Sequence, residues 1–215
     1  MTDADFLRQT RLFYDTVAEE YAEHFQEPRV GTPLDRGVLF GFAQLVGEGG
    51  EVGDLGCGPG RVTGYLASLG LSVFGLDLSE SMLAVARREH PGLRFVRGSM
   101  QDLDLPDASL DGVVSWYSTI HTPEEHLPAL FAGFHRVLRP GGHLLLGFQA
   151  GDGSRRYEEA FGHRVALDFR RRRPERMAAL LEGAGFGVRA RTVREPDEAT
   201  GEPVPQASLV ARKPL

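Results

Sequence analysis

The sequence predicts a doubly wound α/β domain, in which helices cover both faces of a mostly parallel sheet. Short apolar runs typical of buried strands alternate with helical patterns along the chain. A glycine-rich turn joins the first of these strands to the helix that follows it. The length of 215 residues suits one such domain with a full core, and no internal repeat or linker composition divides it. We therefore expect residues 1–215 to form a single domain.

The first half of the chain supplies two helices and then alternating strands and helices. Residues 4–26 are predicted to be an amphipathic helix, because apolar and aromatic side chains recur at helical spacing. Thr32 followed by Pro33 predicts the start of a second helix. Residues 1–47 are thus expected to form a helical cap over the site, and residues 48–215 the core. We expect strands at 51–55, 71–76, 93–97 and 111–115, and helices at 61–69 and 80–89.

The second half is predicted from turn and cap signals. Thr122 and Glu125 have the spacing of a capping box, with a proline between them at the first helical position. Residues 150–173 are polar and are predicted to be irregular, and Pro174 opens a last helix. The remaining strands are expected at 143–148, 186–194 and 207–213.

Composition excludes several classes of function. The formal net charge of -6 argues against non-specific nucleic-acid binding, and the basic run at 170–173 is predicted to be a solvated loop. A single cysteine, Cys57, permits neither an internal disulfide nor a cysteine-based metal cluster. The sequence has no His-x-x-x-His pair, so we expect no metal. The acidic start and the lack of a long apolar stretch predict a cytoplasmic protein without a membrane partner.

The first strand ends in a glycine loop, and an acidic residue ends the second strand. Gly56, Gly58 and Gly60 let a ligand approach the backbone N–H groups, and the following helix presents its positive end. Asp77 lies about 20 residues further on, at the spacing of a carboxylate that accepts both hydroxyls of a ribose. Together these features predict a site for an adenosine-containing cofactor.

The glycine spacing and a second acid favour one cofactor over another. A dinucleotide fingerprint is G-x-G-x-x-G and holds a pyrophosphate, whereas this loop is G-x-G-x-G. Asp54, two positions before the first glycine, would repel a pyrophosphate but suits a ligand with an ammonium and a sulfonium. S-adenosylmethionine carries both groups. The pattern therefore indicates this methyl donor over a nicotinamide dinucleotide.

Several further segments resemble the class I methyltransferases, in particular a small-molecule group with a ubiquinone-biosynthesis-like core. The opening Y-D-x-x-A-x-x-Y motif begins at Tyr14, and the motif I segment runs from Asp54 to Gly60. The chain also has L-D-L-S at 76–79, D-A-S-L-D at 107–111 and R-V-L-R-P-G-G at 136–142. The resemblance covers nearly the whole chain. It implies a Rossmann-like sheet of seven strands whose last strand is antiparallel.

The resemblance and the chemistry of methyl transfer together give a set of cofactor-binding candidates. The segment G-S-M-Q-D-L at 98–103 is similar to the family's adenine-binding segment, although Ser99 replaces a common aspartate. Aromatic faces attract a sulfonium, and the side chains considered for this are those of Tyr14, Tyr21 and Trp116. The complete set is Tyr14, Tyr21, Asp54, Gly56, Gly58, Gly60, Asp77, Leu78, Ser99, Met100, Gln101, Ser115 and Trp116.

The acceptor side of the site is predicted less fully. His121 follows the fourth strand and is the candidate general base, because histidine titrates near neutral pH. Tyr117, Phe148, Gln149 and His163 are the candidate substrate contacts. A small-molecule acceptor is favoured because the D/N/S-P-P-Y/F segment of many nucleic-acid methyltransferases is absent after the fourth strand. An RNA methyltransferase and a non-catalytic S-adenosylmethionine-binding protein remain alternatives.

Overall fold

We analysed a computed structural model, which describes residues 3–25, 30–197 and 202–215. Nine strands and six α-helices make up this part of the chain. The strands are β1 Glu51–Leu55, β2 Ser72–Asp77, β3 Arg94–Arg97, β4 Leu110–Trp116, β5 Leu138–Gln149, β6 Ser154–Ala160, β7 His163–Arg170, β8 Gly187–Arg194 and β9 Gln206–Arg212. The helices are α1 Asp3–His24, α2 Pro33–Val46, α3 Arg61–Ser68, α4 Glu80–Glu89, α5 Leu127–Val137 and α6 Pro174–Gly183. No helix within these ranges is long and apolar enough to span a membrane.

Seven of the strands form one sheet in the order β3-β2-β1-β4-β5-β9-β8. Strand β1 pairs in parallel with β2 and with β4, and β4 pairs in parallel with β5. The last strand, β9, runs antiparallel to both of its neighbours. The predicted seven-stranded, mostly parallel sheet with an antiparallel last strand is confirmed.

Helices cover both faces of this sheet. On one face, α5 and α6 bury a core cluster that includes Phe131, Phe134 and Leu181. On the other face, α2 and α3 pack over the strands through side chains such as Phe42 and Leu66. Helix α2 therefore lies in a layer of the sandwich, and of the two predicted cap helices only α1 packs elsewhere, against α4 and β7.

Two local predictions were wrong. Residues 150–173, expected to be irregular, contain the antiparallel hairpin of β6 and β7. Thr122 does not cap α5, because this helix begins at Leu127 and has His126 as its N-cap. The Thr122 hydroxyl accepts a hydrogen bond from the side chain of Gln101 at 3.2 Å. A capping box does exist at Thr32, whose side chain accepts from the backbone of Asp35 while the Asp35 carboxylate accepts from the Thr32 backbone.

Candidate functional site

The glycine loop follows β1 at the carboxyl edge of the sheet. Gly56 and Gly58 have positive φ angles of 83° and 53°, a region that favours glycine. A Cβ atom at Gly56 would lie 2.3 Å from the Cβ of Ser118, so a larger residue would collide there. A Cβ atom at Gly58 would meet no described atom within 4 Å. The loop is thus packed against the protein at Gly56 and open to a ligand at Gly58.

Two carboxylates flank this loop, as the sequence predicted. Asp54 is 1% exposed and accepts a hydrogen bond from the Thr63 hydroxyl at 2.6 Å. Asp77 accepts from the backbone N–H groups of Gly58 at 2.8 Å and Ser79 at 2.9 Å. Burial raises the pKa of Asp54 to about 7, and burial also raises the pKa of Asp77. The charge of Asp77 opposes the ionisation of Asp54, so a cationic ligand beside these two carboxylates would be favoured.

Helix α1 brings Tyr14 and Tyr21 to the same place. Their rings contact edge to face, with centroids 5.9 Å apart. Burial raises the pKa of both phenols, and the charge of Asp77 contributes in the same direction. Both side chains therefore remain protonated and close to Asp77. The structure brings these two tyrosines together with Asp54, Asp77 and the glycine loop.

Asp15, which the sequence did not single out as a site residue, fixes α1 to the core. Its Oδ1 atom accepts from the Ser79 hydroxyl at 2.6 Å and from the backbone N–H of Ser81 at 3.4 Å. Ser79 is also the N-cap of α4, so the Asp15 carboxylate lies at the positive end of that helix. The aspartate of the Y-D-x-x-A-x-x-Y motif was the available signal.

His121 lies against Tyr14 and is only 4% exposed. Its Nε2 atom is 2.8 Å from the Tyr14 hydroxyl, and its Nδ1 atom is 3.2 Å from the carbonyl oxygen of Asp168. A carbonyl only accepts, so Nδ1 carries the proton and Nε2 accepts from Tyr14. Burial lowers the pKa of His121 to about 4. Its ring is therefore neutral and both ring nitrogens are engaged.

The predicted adenine segment forms a tight turn after β3. The Ser99 hydroxyl accepts from the backbone N–H of Gln101 at 3.1 Å, which stabilises the turn itself. The Gln101 side chain reaches Thr122, and Met100 packs against the core. Leu78 lies directly between Asp77 and Ser79 and is half-buried. The backbone N–H of Gly98 donates to the carbonyl of Asp77 at 2.9 Å, and the contact of residues 99–101 with a cofactor stays a prediction.

The residues at the end of β4 and just after it divide between two locations. Ser115 is buried, and its hydroxyl is 2.5 Å from that of Ser118, which donates to the Leu55 carbonyl. Trp116 and Tyr117 instead line a shallow groove formed with α2, β8 and β9. Burial raises the pKa of Tyr117. No residue of the glycine loop lines that groove.

The other predicted substrate contacts are dispersed. Phe148 has no exposed surface and packs in the core under α5 and α6, so it is not accessible to a substrate. Gln149 ends β5, where its carbonyl accepts from the backbone of Arg172. His163 begins β7, and its Nε2 atom is 3.1 Å from the carboxylate of Glu20 on α1. His163 thus joins the hairpin to α1.

Comparison with known proteins assigns the central part of this arrangement. Residues 52–142 match a family model described as a methyltransferase domain. This span contains the glycine loop, both flanking carboxylates and the adenine segment. Residues 52–142 of this chain are therefore similar to a methyltransferase domain. Helix α1 and the β6–β7 hairpin lie outside the matched residues.

Curated relatives of the methyltransferase domain have diverse names. The chain is 38% identical over 107 residues to a fatty-acid O-methyltransferase of Mycolicibacterium smegmatis, covering 48% of this chain and 38% of the relative. It is 36% identical over 96 residues to a malonyl-[acyl-carrier protein] O-methyltransferase of Pectobacterium atrosepticum, covering 44% and 37%. The chain thus spans less than half the length of these relatives.

A solved structure supports the fold over the whole chain. The 1,6-didemethyltoxoflavin-N1-methyltransferase of Burkholderia thailandensis, determined with S-adenosylhomocysteine, matches with a TM-score of 0.74. It covers 100% of this chain and 92% of its own, at 22% identity. The Rossmann-like arrangement of the methyltransferase domain therefore extends to α1 and the hairpin.

Proposed function

We propose that this protein binds S-adenosylmethionine and transfers its methyl group to a small-molecule acceptor. The observation that carries the proposal is a pair of carboxylates, buried Asp54 and half-buried Asp77, on either side of a loop that is open at Gly58. Burial disfavours the ionised form of both carboxyls, so their pKa values are raised. A bound cation would stabilise the ionised forms.

The chemistry of the residues fits the cofactor at each end. Asp77 lies where a carboxylate can accept the ribose hydroxyls, and Asp54 offers a second negative charge for the ammonium or sulfonium. The N-terminus of α3 directly follows Gly60 and suits the single carboxylate of the ligand. Tyr14 and Tyr21 would supply aromatic faces beside the cation. The turn at 99–101 would border the adenine.

S-adenosylmethionine, when bound, supplies an electrophilic methyl group, so the protein has to align the acceptor and exclude water. Tyr14 and Tyr21 of α1 lie close enough to Asp77 for its charge to raise their pKa values, so α1 would exclude water from that side of the site. We assign His121 to holding the Tyr14 hydroxyl in place, since both of its ring nitrogens are engaged and its pKa is about 4. The geometry favours this positioning role over the general-base role predicted from sequence.

We place the acceptor between α1 and the β6–β7 hairpin. These elements face each other through contacts such as Glu20 with His163, and both lie outside residues 52–142, which the family model matches. Two curated relatives are named as O-methyltransferases and one solved neighbour as an N-methyltransferase. Carboxylic acids, phenols and heteroaromatic amines are therefore the acceptor classes to compare.

Calorimetry with S-adenosylhomocysteine tests the cofactor site. We expect Asp77→Asn to weaken binding at least tenfold, because losing a charge-assisted hydrogen bond costs about 1.5–3 kcal/mol. Asp104→Asn removes an exposed carboxylate away from the loop and should leave the affinity unchanged. Equal affinity for the wild-type protein and Asp77→Asn would contradict the ribose assignment.

A second assay separates the function from its alternatives. Formation of S-adenosylhomocysteine from S-adenosylmethionine should occur with at least one of the small-molecule classes and not with RNA. Methylation of RNA alone would favour a nucleic-acid methyltransferase. Cofactor binding without turnover on either type of acceptor would favour a non-catalytic binding protein.

A further inference from the structure

The basic run at 170–173 is not the solvated loop that the sequence predicts. It lines a cavity of about 290 Å³ at the base of the β6–β7 hairpin, together with Arg176 of α6. The other lining residues include Glu124, Asp152 and Ser154, and none belongs to the glycine loop. Five arginines and two carboxylates give the cavity wall a net charge of +3, in a chain whose formal charge is -6.

Only part of this positive charge is neutralised by the protein. Arg173 forms two hydrogen bonds of 2.6 Å to Asp152, and two other arginines also have carboxylate partners. Those pairs are Arg170 with Asp168 at 3.2 Å and Arg176 with Glu124 at 2.9 Å. Within residues 3–25, 30–197 and 202–215, neither Arg171 nor Arg172 forms a salt bridge with a carboxylate. Two guanidinium charges therefore remain unbalanced.

Arg172 is the unusual member of the group, because it is only 9% exposed. One of its nitrogens, Nη2, donates to the carbonyl of Thr122 at 2.6 Å. Its Nε atom is buried without a hydrogen-bond partner, and so is the Nε atom of Arg171. A buried charged group with an unsatisfied donor costs free energy. An anion in the cavity would lower this cost by placing a negative charge beside the two guanidinium groups that line it.

The start of α6 adds to the attraction for an anion. Arg173 is the N-cap of this ten-residue helix, and its side chain makes no capping hydrogen bond to the helix backbone. Free backbone N–H groups of the first turn and the positive end of the helix dipole therefore lie beside the arginines. Gly153 also lines the cavity, and no described atom lies within 4 Å of the position of a Cβ there, so the space beside it is open.

We propose that this cavity is a binding site for a phosphate monoester dianion. Two unbalanced guanidinium groups match the charge of such a group, which is about −1.5 to −2 at pH 7. Guanidinium groups also match the oxygen geometry of phosphate through paired N–H donors. A single carboxylate would neutralise only one of the two charges. The site is defined by Arg171 and Arg172, and it does not depend on the proposed methyl transfer.

The site is connected to the cofactor-binding region through two short contacts. Arg172 donates to the Thr122 carbonyl, and the Thr122 hydroxyl accepts from Gln101 of the adenine segment. Arg170 donates to the carbonyl of His121 at 2.9 Å. An anion that binds these guanidinium groups would compete with the carbonyls of His121 and Thr122 for their N–H donors.

Calorimetric titration of the full chain with inorganic phosphate and with phenyl phosphate tests the proposal. For phenyl phosphate we expect saturable binding of one equivalent that strengthens about fourfold between pH 5.5 and 7.5, because the second phosphate proton dissociates near pH 6. Sulfate, a dianion over this whole range, should show no such rise, and dimethyl phosphate, a monoanion, should bind at least tenfold more weakly than phenyl phosphate. Tighter binding of phenyl phosphate than of inorganic phosphate would support a monoester as the ligand, and equal or weaker binding of phenyl phosphate would contradict it.

Variants localise the binding. Arg171→Gln and Arg172→Gln should each weaken phosphate binding at least tenfold, whereas Arg189→Gln, on the exposed side of β8, should not change it. If circular dichroism shows that Arg172→Gln does not fold, because Arg172 is buried, Arg171→Gln alone tests the site. The absence of saturable binding, or equal losses in Arg171→Gln and Arg189→Gln, would overturn the proposal. Because no methyl donor is present, this result is independent of the cofactor site.

Discussion

Asp54 and Asp77 have similar surroundings but differ in how their negative charge is stabilised. Asp77 accepts hydrogen bonds from the backbone of Gly58 and Ser79, two N–H groups held in place by the loop and by the start of α4. The hydrogen-bond partner of Asp54 is Thr63. Burial raises the pKa of Asp54 to about 7, and the charge of Asp77 opposes its ionisation further. The protonation state of Asp54 should therefore depend both on solution pH and on the charge of a bound ligand.

The pH dependence of stability should report this directly. The pKa of Asp54 is about 7 in the folded protein and near 3.9 in an unfolded chain, so between these values only the folded state holds the proton. Raising the pH from 5 to 7 should then lower the free energy of unfolding by up to about 1.4 kcal/mol per unit. Asp54→Asn lacks this contribution and should gain about 2–3 kcal/mol relative to wild type over that interval.

Urea unfolding of the ligand-free protein at pH 5, 6, 7 and 8 measures the difference. The advantage of Asp54→Asn should grow up to about pH 7 and then level off, because Asp54 is ionised in both states above that point. The exposed variant Asp104→Asn should follow the wild-type profile. Parallel profiles for wild type and Asp54→Asn would show that Asp54 is already ionised in the fold at pH 5.

Among the elements, α1 is positioned by a few polar contacts. Asp15 accepts from Ser79 and Ser81 at the start of α4, Tyr14 donates to His121, and Glu20 contacts His163 of the hairpin. The sequence pattern predicted the helix and its aromatic residues, but not these partners, which lie more than 60 positions away. An amphipathic pattern identifies the buried face of a helix and carries no information about the element that it covers.

The hairpin shows the opposite limitation. Strand β6 is mostly exposed and charged, so it lacks the alternation of apolar and polar residues by which strands are predicted. Its ladder of backbone hydrogen bonds to β7 forms regardless. The helix predicted to start after Thr122 begins at Leu127 instead, and the Thr122 hydroxyl accepts a hydrogen bond from Gln101 of another segment. In both cases, a tertiary contact outweighed the local signal.

Releasing α1 should weaken cofactor binding without unfolding the core. We expect Asp15→Ala to remove the contact with Ser79 and to lower affinity for S-adenosylhomocysteine about three- to tenfold, the equivalent of losing one cap worth about 1 kcal/mol. Glu23→Ala, an exposed acid on the same helix, is the matched control. Calorimetry and limited proteolysis of α1 should change together in Asp15→Ala only. An unaltered affinity would mean that α1 does not close the site.

At the scale of the molecule, the site follows from the order of the strands. The order of the strands reverses between β1 and β4, and ligands of doubly wound sheets bind beyond the carboxyl ends at that reversal. The alternating pattern was therefore enough to predict the sheet, and the acids near the ends of the first two strands lie at the edge where this rule predicts a ligand. Phe148 shows what this argument misses. It lies near the end of β5, at the same edge of the sheet, but its side chain is part of the hydrophobic core.

Hydrogen exchange with and without S-adenosylhomocysteine should divide the molecule along the same lines. Binding stabilises the segments that contact the ligand, and opening of α1 precedes exchange of the loop beneath it. We expect slower exchange at residues 10–24, 55–63 and 77–83. The face formed by α6 and β8 lies away from the loop and should exchange at the same rate in both states. Uniform protection of all segments would indicate global stabilisation alone, and unchanged exchange in α1 would remove it from the cofactor site.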